Sequence, residues 1–226
     1  MSDLNLKAVL FDLDGTFADT AQDLAAALNY VLETNNKPTL SFEEIRPEVS
    51  NGGNALIKLG FQIELDHPEF DSYRQQLLDY YENNIATFTL PFEGMEQVLN
   101  YFKLNNISWG IVTNKPAWLT DPLMAALILP TQPECIISGD TLKTRKPDPG
   151  PLLHACEQIN CSPNDTIYIG DAKRDIEAGQ NAQMQTLVAL FGYIGEDDNP
   201  LSWGATDMVK QPVDIIEWIS QNRAVT

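Results

Sequence analysis

The stretch Val9-Leu10-Phe11-Asp12-Leu13-Asp14-Gly15-Thr16 organises the rest of the chain. An apolar run that ends at Phe11 predicts a buried strand, and two carboxylates follow it at spacing i, i+2. If the extended conformation persists, Asp12 and Asp14 lie on the same face, while Gly15 permits the tight turn that carries the chain away. Two acids at the end of a core strand are costly to desolvate unless a cation or a proton compensates them. The stretch therefore predicts a chemical site at this strand end.

Composition limits the partners and the compartment. The 226 residues carry a formal net charge of -18, with 32 acids against 14 Lys and Arg, so we expect neither nucleic acid nor anionic membrane as a partner. A phosphorylated ligand would need local attraction. Three cysteines without a CxxC pair favour a reducing compartment. Residues 1–4 lack the opening of a signal peptide and no apolar run is long enough for a membrane span, so we expect a soluble, cytoplasmic protein. No oligomeric state is predicted.

Helical periodicity dominates residues 20–85, whereas the rest of the chain alternates strands with helices. The predicted fold class is α/β, with a doubly wound parallel-sheet (Rossmann-like) core formed by residues 1–17 and 88–226 and an inserted α-helical cap formed by residues 18–87. Residues 17–19 are the expected exit linker and residues 87–91 the return linker. Thr20 or Asp19 is expected to cap the first helix, and Ser41 with Glu44 resembles a capping box. Residues 51–54 are expected to form a flexible turn.

Polar residues follow each predicted core strand. In doubly wound sheets, ligands bind outside the carboxyl ends of the strands, so these residues should converge. The set comprises Asp12 and Asp14 after the first strand, Thr113, Asn114 and Lys115 after the second, Arg145 and Lys146 in a turn after the third, and Asp171 and Asp175 after the fourth. Acids in excess of the basic groups suggest Mg²⁺. A Lys, a Thr hydroxyl, an Asn amide and backbone N–H groups make a phosphate cradle.

Phosphoryl transfer follows from these parts. A carboxylate can attack phosphorus if a metal ion and a Lys screen its repulsion from the anionic substrate. Asp14 would donate a proton to the leaving oxygen and then activate water on the aspartyl-phosphate. For the first step it must be protonated, which a crowded cluster of acids favours.

Four motifs in order closely resemble the haloacid dehalogenase superfamily of phosphohydrolases. They are Asp-Leu-Asp-Gly-Thr at 12–16, the strand-end Thr113, Lys146 before Pro147, and Gly-Asp-x-x-x-Asp at 170–175. The resemblance covers nearly the whole chain and includes a helical cap between the first two motifs. It implies that Asp12 is the nucleophile and a metal ligand, and that Asp14 is the general acid and base with its backbone carbonyl on the metal.

The same resemblance assigns roles to the later motifs. Thr113 and Asn114 would hold the phosphoryl oxygens, and Lys146 would steady both nucleophile and phosphate. Asp171 would be a metal ligand. Asp175 would act on the metal directly, through water, or by orienting its neighbours.

Further segments resemble particular groups within the superfamily. Residues 112–116 and 146–149 are similar to the phosphoglycolate phosphatase group. Residues 92–95, 109–116 and 192–205 resemble more closely the N-acetylmuramic acid 6-phosphate phosphatases. These segments belong to the core and therefore support kinship more than a substrate. In the cap, the turn at residues 50–53 is predicted to face the substrate, because Gly52 and Gly53 allow close backbone approach.

The predicted function is Mg²⁺-dependent hydrolysis of a small phosphorylated metabolite through an aspartyl-phosphate at Asp12. Three alternatives remain open. A phosphosugar mutase (beta-phosphoglucomutase-like) would retain the phosphoryl group, a 2-haloacid dehalogenase would release halide, and a non-catalytic binding module would release nothing.

Overall fold

The computed structural model describes residues 5–222. The strands are β1 (Ala8–Phe11), β2 (Ala18–Asp19), β3 (Leu90–Pro91), β4 (Ser108–Val112), β5 (Cys135–Ile137), β6 (Thr166–Gly170), β7 (Gln185–Ala189) and β8 (Asp207–Val209). The helices are α1 (Ala21–Thr34), α2 (Phe42–Ile45), α3 (Gly52–Phe61), α4 (Phe70–Asn83), α5 (Met95–Leu104), α6 (Ala117–Ala126), α7 (Gly150–Gln158), α8 (Lys173–Asn181) and α9 (Asp214–Asn222). Within the described range, no helix combines the length and apolar character needed to cross a bilayer. Residues 1–4, on which the signal-peptide prediction rests, lie outside that range.

Six strands form one parallel sheet in the order β5-β4-β1-β6-β7-β8. β1 lies between β4 and β6, with Phe11 opposite Ile111 on one side and Ile169 on the other. The predicted alternation of strands with helices is observed, and the predicted α/β class is confirmed. Because neighbouring parallel strands end at the same edge, the residues that follow β1, β4 and β6 are brought together there.

β1 is buried on both faces, as its continuous apolar run predicts. Val9 and Phe11 belong to a hydrophobic cluster with residues of α5 and α9. Leu10, on the opposite face, packs in a second cluster with residues of α7 and α8. Helices on both faces hold β1 rigidly, and with it the start of the Asp12 loop.

Helices α1 to α4 form a separate helical layer between β2 and β3. They share a hydrophobic cluster that contains Leu28, Leu56 and Leu77, and Leu119 and Tyr193 from the sheet-bearing part join it. The division into a core of residues 1–17 and 88–226 and a cap of residues 18–87 stays our interpretation of this arrangement. Below, "the cap" means residues 18–87.

The two linkers contact each other. β2 and β3 pair antiparallel, with Ala18 opposite Pro91. Buried Asp23 of α1 accepts hydrogen bonds from the backbone N–H of Phe88 at 3.1 Å and of Thr89 at 2.9 Å, and from the Thr89 hydroxyl at 2.6 Å. A buried carboxylate satisfied in this way fastens α1 to the return segment.

Two local expectations need correction. Thr20 occupies the N-cap position of α1, but its hydroxyl donates to Asp14 Oδ1 at 2.6 Å instead of capping the helix. Asp19 Oδ1, the other predicted cap, accepts from the Ala21 N–H at 3.4 Å. Residues 51–54 are not a flexible turn: a 3-10 helix over Arg46–Asn51 leads directly into α3, which begins at Gly52. Gly52 has φ +78°, so the junction needs a residue that tolerates left-handed backbone. The capping box of Ser41 and Glu44 is confirmed.

Candidate active site

Three buried carboxylates meet at the carboxyl edge of the sheet. Asp12 follows β1, Asp171 follows β6, and Asp175 lies in the first turn of α8. Each offers an oxygen, and these oxygens all lie within 4.8 Å of one another. Because β1 and β6 are neighbours, the two strand-end acids converge as predicted.

Lys146 joins two of these acids. Its ammonium lies 2.9 Å from Asp12 Oδ1 and 2.7 Å from Asp175 Oδ1, and the side chain is buried. Burial alone would lower the pKa of Lys146, but the two carboxylates raise it above its ordinary value. The turn between β5 and α7 therefore brings a permanently charged ammonium into the acid cluster.

Tyr168 positions Lys146 through a buried hydrogen bond. Its hydroxyl accepts a hydrogen bond from Lys146 Nζ at 2.7 Å and donates to the carbonyl of Val112 at 2.8 Å. The sequence analysis assigned no role to this residue, because residues 166–169 were interpreted only as a strand of the core. The available signal was the phenol itself, since a buried tyrosine hydroxyl needs a hydrogen-bond partner.

Asp171 is the acid that lacks a cationic partner at ion-pair distance among the described residues. It accepts hydrogen bonds from Ser50 Oγ at 2.7 Å and the Tyr193 N–H at 2.9 Å. Burial, followed by the charges of Asp12 and Asp175, raises the pKa of Asp171 to about 7. Burial also raises the pKa of Asp12, against the opposing effect of Lys146.

This donor set fits a hard divalent cation. All three groups are carboxylates, and their oxygens are close enough to share one ion. The raised pKa values of Asp12 and Asp171 also show that burial disfavours their negative charge, which a bound cation would stabilise. Asp12, Asp171 and Asp175 are the residues that would hold Mg²⁺.

Gly15 packs closely against Asp171. A Cβ atom at position 15 would lie 2.2 Å from Asp171 Oδ2, and Gly15 has φ +79°. The predicted need for glycine in this turn therefore has two causes, backbone conformation and space for the carboxylate.

Asp14 lies outside the acid cluster and contacts a different cation. Lys115 Nζ lies 2.8 Å from Asp14 Oδ1, the same oxygen that accepts from Thr20. The crowding of acids that was expected around Asp14 is found instead around Asp12, Asp171 and Asp175. The reason is geometric, since the loop after β1 turns at Leu13 and gives Asp12 and Asp14 different neighbours.

Lys115 was not predicted to have a role of its own. Besides Asp14, its ammonium donates to Tyr81 Oη of the cap at 3.0 Å. Burial alone would lower the pKa of Lys115, yet Asp14 raises it above the ordinary value. Its position directly after Thr113 and Asn114 was the signal that placed it at the sheet edge.

Thr113 and Asn114 follow β4 at the same edge. Thr113 Oγ1 accepts from the Lys115 N–H at 3.1 Å. The Asn114 amide makes two 3.1 Å hydrogen bonds with the backbone of Lys146, one to its carbonyl and one from its N–H. The amide thus ties the end of β4 to the Lys146 turn.

The cap closes one side of a cavity of about 720 Å³ above these residues. Asp12, Asp14, Thr113 and Lys115 line it from the core, and residues 49–54 line it from the cap. Predicted substrate residues Gly52 and Gly53 are among them. Arg174 fastens this loop by donating to the carbonyl of Ser50 and, at 3.3 Å, to Asn51 Oδ1.

Fold and site together define an α/β protein with a buried acid-rich centre beneath a helical cap. A family model described as haloacid dehalogenase-like hydrolase matches residues 9–189. The chain belongs to this family, which confirms the resemblance found in its motifs.

Named relatives cover almost the whole chain. An N-acetylmuramic acid 6-phosphate phosphatase from Pseudomonas aeruginosa is 37% identical over 96% of this chain and 96% of its own. A phosphoglycolate phosphatase from Xanthomonas campestris is 40% identical over 93% of this chain and 95% of its own. A crystal structure from Haemophilus somnus, described as a predicted phosphoglycolate phosphatase, has a TM-score of 0.83 at 24% identity, covers 95% of this chain and 98% of its own, and supports the fold alone. The predicted enzyme class, a hydrolase related to named phosphatases, is thereby confirmed.

Proposed function

We propose that the protein is a Mg²⁺-dependent phosphomonoester hydrolase that acts through an aspartyl-phosphate at Asp12. One observation carries the proposal: Lys146 holds Asp12 and Asp175 together, at 2.9 Å and 2.7 Å, within the buried acid cluster beneath the cavity. A nucleophilic carboxylate needs such a fixed cation to approach an anionic phosphate.

The contacts of Asp12 support Oδ2 as the attacking atom. Oδ1 accepts from Lys146 Nζ at 2.9 Å and from the Leu13 N–H at 2.7 Å. Oδ2 is then the oxygen that forms a bond to phosphorus while the bond from phosphorus to the ester oxygen breaks. Mg²⁺ held by Asp12, Asp171 and Asp175 would screen the negative charge that accumulates on the phosphoryl oxygens.

Asp14 would move the proton in both steps. Thr20 and Lys115 both contact its Oδ1, which leaves Oδ2 to take up a proton when the negative charge of the bound phosphate offsets that of Lys115. That proton passes to the leaving oxygen when the ester bond breaks, and Asp14 then takes a proton from the water that attacks the aspartyl-phosphate. The second step releases inorganic phosphate and restores Asp12.

The cavity supports a phosphorylated acid larger than phosphoglycolate. Its volume of about 720 Å³ lies within the range of pockets that enclose drug-sized ligands. A two-carbon acid would leave much of that space to water, whereas an amino-sugar acid would use it. We therefore favour a substrate of the N-acetylmuramic acid 6-phosphate type, which agrees with the name of the Pseudomonas relative.

The test is phosphate release by the purified protein with Mg²⁺. The panel comprises N-acetylmuramic acid 6-phosphate, N-acetylglucosamine 6-phosphate, phosphoglycolate, glucose 1-phosphate and p-nitrophenyl phosphate, compared by kcat/KM. We expect the muramic acid ester to be preferred, Asp12→Asn to lose at least about 1,000-fold in kcat, and excess EDTA to stop turnover. Asp197→Asn, a change of the same kind at an exposed acid, serves as the control.

Other outcomes would identify the alternatives. Conversion of glucose 1-phosphate to an isomer without phosphate release would favour a mutase, and halide release from a 2-haloacid would favour a dehalogenase. Full activity of Asp12→Asn would overturn the covalent mechanism. The absence of turnover with every ester would leave a binding module.

A further inference from the structure

The cavity is locally cationic in a strongly acidic protein. Four of the 14 Lys and Arg line it, against three of the 32 acids. The cations are Arg74, Lys115, Arg145 and Arg174, and the acids are Asp12, Asp14 and Asp140. Lys115 is paired with Asp14, and Arg174 is hydrogen-bonded to Ser50 and Asn51 of the cap. Arg74 is therefore the cation that the cap itself contributes to the cavity.

Arg74 lies in α4 and is poorly satisfied by protein groups. Among the described residues, its ion pair is a 3.7 Å contact with Asp71, whose side chain is 91% exposed. Such a surface pair contributes little. The Nε atom of Arg74 is buried and has no hydrogen-bond partner within the described range. Because Arg74 lines the cavity, the described protein groups leave its charge available there for an anionic ligand.

The start of α3 lies beside the Arg74 side chain. A Cβ atom on Gly53 would lie 3.9 Å from Arg74 Cγ, which places the stem of Arg74 against the first turn of this helix. The Gly52 N–H donates to the carbonyl of Val49, but no side chain caps the following N–H groups in the part of the chain that the structure describes, and the space beyond Gly52 is open. Helix N-termini favour negative charge, so backbone and side chain attract the same kind of ligand here.

We propose that Arg74, with the first turn of α3, binds the carboxylate of the substrate while its phosphate lies at Asp12. The inference rests on the proposed function and names the second anionic group that the site recognises. A guanidinium presents its two Nη groups in a fork that matches a carboxylate, and Arg74 lines the cavity with a side chain that is 41% exposed. Phosphoglycolate and N-acetylmuramic acid 6-phosphate both carry a carboxylate at some distance from the phosphate.

A matched pair of substrates isolates this contact. N-acetylmuramic acid 6-phosphate differs from N-acetylglucosamine 6-phosphate by the lactyl ether that carries the carboxylate. We expect Arg74→Gln to lower kcat/KM about 10- to 100-fold for the muramic acid ester and less than about 3-fold for the glucosamine ester. Arg74→Lys should recover part of the loss, because a point charge replaces the fork. Lys58→Gln is the control, since Lys58 is a cap cation of 40% exposure that pairs with Glu64 and is not among the lining residues.

Binding gives a second readout that does not depend on turnover. In the Asp12→Asn background, calorimetry should show that Arg74→Gln weakens binding of the muramic acid ester about 10-fold or more and leaves that of the glucosamine ester within about 3-fold. Equal effects on both esters, no effect on either, or failure of the Asp12→Asn protein to bind the muramic acid ester would each overturn the role of Arg74. If the muramic acid ester binds through Arg74 but the wild type releases no phosphate from any ester, the hydrolase proposal fails and the Arg74 site stands.

Discussion

Removing Lys115 tests whether its contact with Asp14 is a strong internal ion pair. The two charged atoms are 2.8 Å apart, and the side chains are only 6% and 16% exposed. At an effective dielectric constant of about 20, this separation corresponds to about 6 kcal/mol of attraction. Desolvation of both groups offsets part of that energy, which leaves an expected coupling of about 3 kcal/mol.

A double-mutant cycle measures the coupling directly. Urea unfolding in EDTA would be compared for wild type, Lys115→Met, Asp14→Asn and the double variant. Lys115→Met alone should destabilise the protein by about 3 kcal/mol or more, because it leaves a largely buried carboxylate with only the Thr20 hydroxyl. The double variant should be much less destabilised than the sum of the two single changes.

An exposed pair provides the control. Lys58 and Glu64 contact each other, and their side chains are 40% and 73% exposed. A double-mutant cycle on this pair should therefore give a coupling energy of less than about 1 kcal/mol. A coupling below about 0.5 kcal/mol for Lys115 and Asp14 would refute the ion pair as described. The same result would remove Lys115 from the account of how Asp14 is held for proton transfer.

Three further predictions concern the residues around the acid cluster. Tyr168→Phe should cost about 1–3 kcal/mol of stability and lower kcat more than it changes KM, because Lys146 and Val112 lose a shared hydrogen-bond partner. The control is Tyr101→Phe, since the Tyr101 hydroxyl makes an exposed 3.4 Å contact with Ser220. An unchanged kcat in Tyr168→Phe would contradict the supporting role of Tyr168. Gly15→Ala should destabilise the protein by about 1–3 kcal/mol more than Gly52→Ala in urea unfolding. Both positions have left-handed backbone (φ +79° and +78°), but only a Cβ atom at position 15 would lie 2.2 Å from Asp171. Equal losses of stability would show that backbone strain alone matters. Because the pKa of Asp171 is raised to about 7, the folded metal-free protein keeps a proton on this carboxyl between about pH 4 and pH 7, where the unfolded chain has lost it. The stability that this proton contributes is therefore full below about pH 4 and falls as the pH rises to about 7. Thermal unfolding in EDTA should lose this pH dependence in Asp171→Asn, and Mg²⁺ should stabilise wild type more at pH 8 than at pH 5.

Local patterns were sufficient to predict the edge of the sheet where the site forms. Asp12 and Asp171 each follow a short apolar run, and any two parallel strands of one sheet end at the same edge. The order of the strands in the sheet was therefore not needed to predict at which edge the site forms. The observed adjacency of β1 and β6 then sets how closely the two acids approach.

Side-chain partners within the site could not be predicted in the same way. Lys115 contacts Asp14 across 101 positions of sequence, and Tyr168 contacts Val112 across 56. Such contacts depend on loop conformations and on which strands are neighbours, neither of which leaves a periodic signal. Thr20 illustrates the difficulty, because a residue typical of a helix cap donates its hydroxyl to Asp14.

The cap contributes directly to the polar groups of the site. Ser50 Oγ donates to Asp171 at 2.7 Å, and Tyr81 Oη accepts from Lys115 at 3.0 Å. Two of the three acids proposed to act beside Asp12 are therefore linked to the cap: Asp171 through Ser50, and Asp14 through Thr20 and, by way of Lys115, through Tyr81. Moving the cap away would leave Asp171 and Lys115 each without one partner, at a cost comparable to a hydrogen bond to a charged group. The arrangement that encloses the cavity and the arrangement that satisfies these charged groups are consequently the same, which couples enclosure of a substrate to the geometry of the groups that act on it.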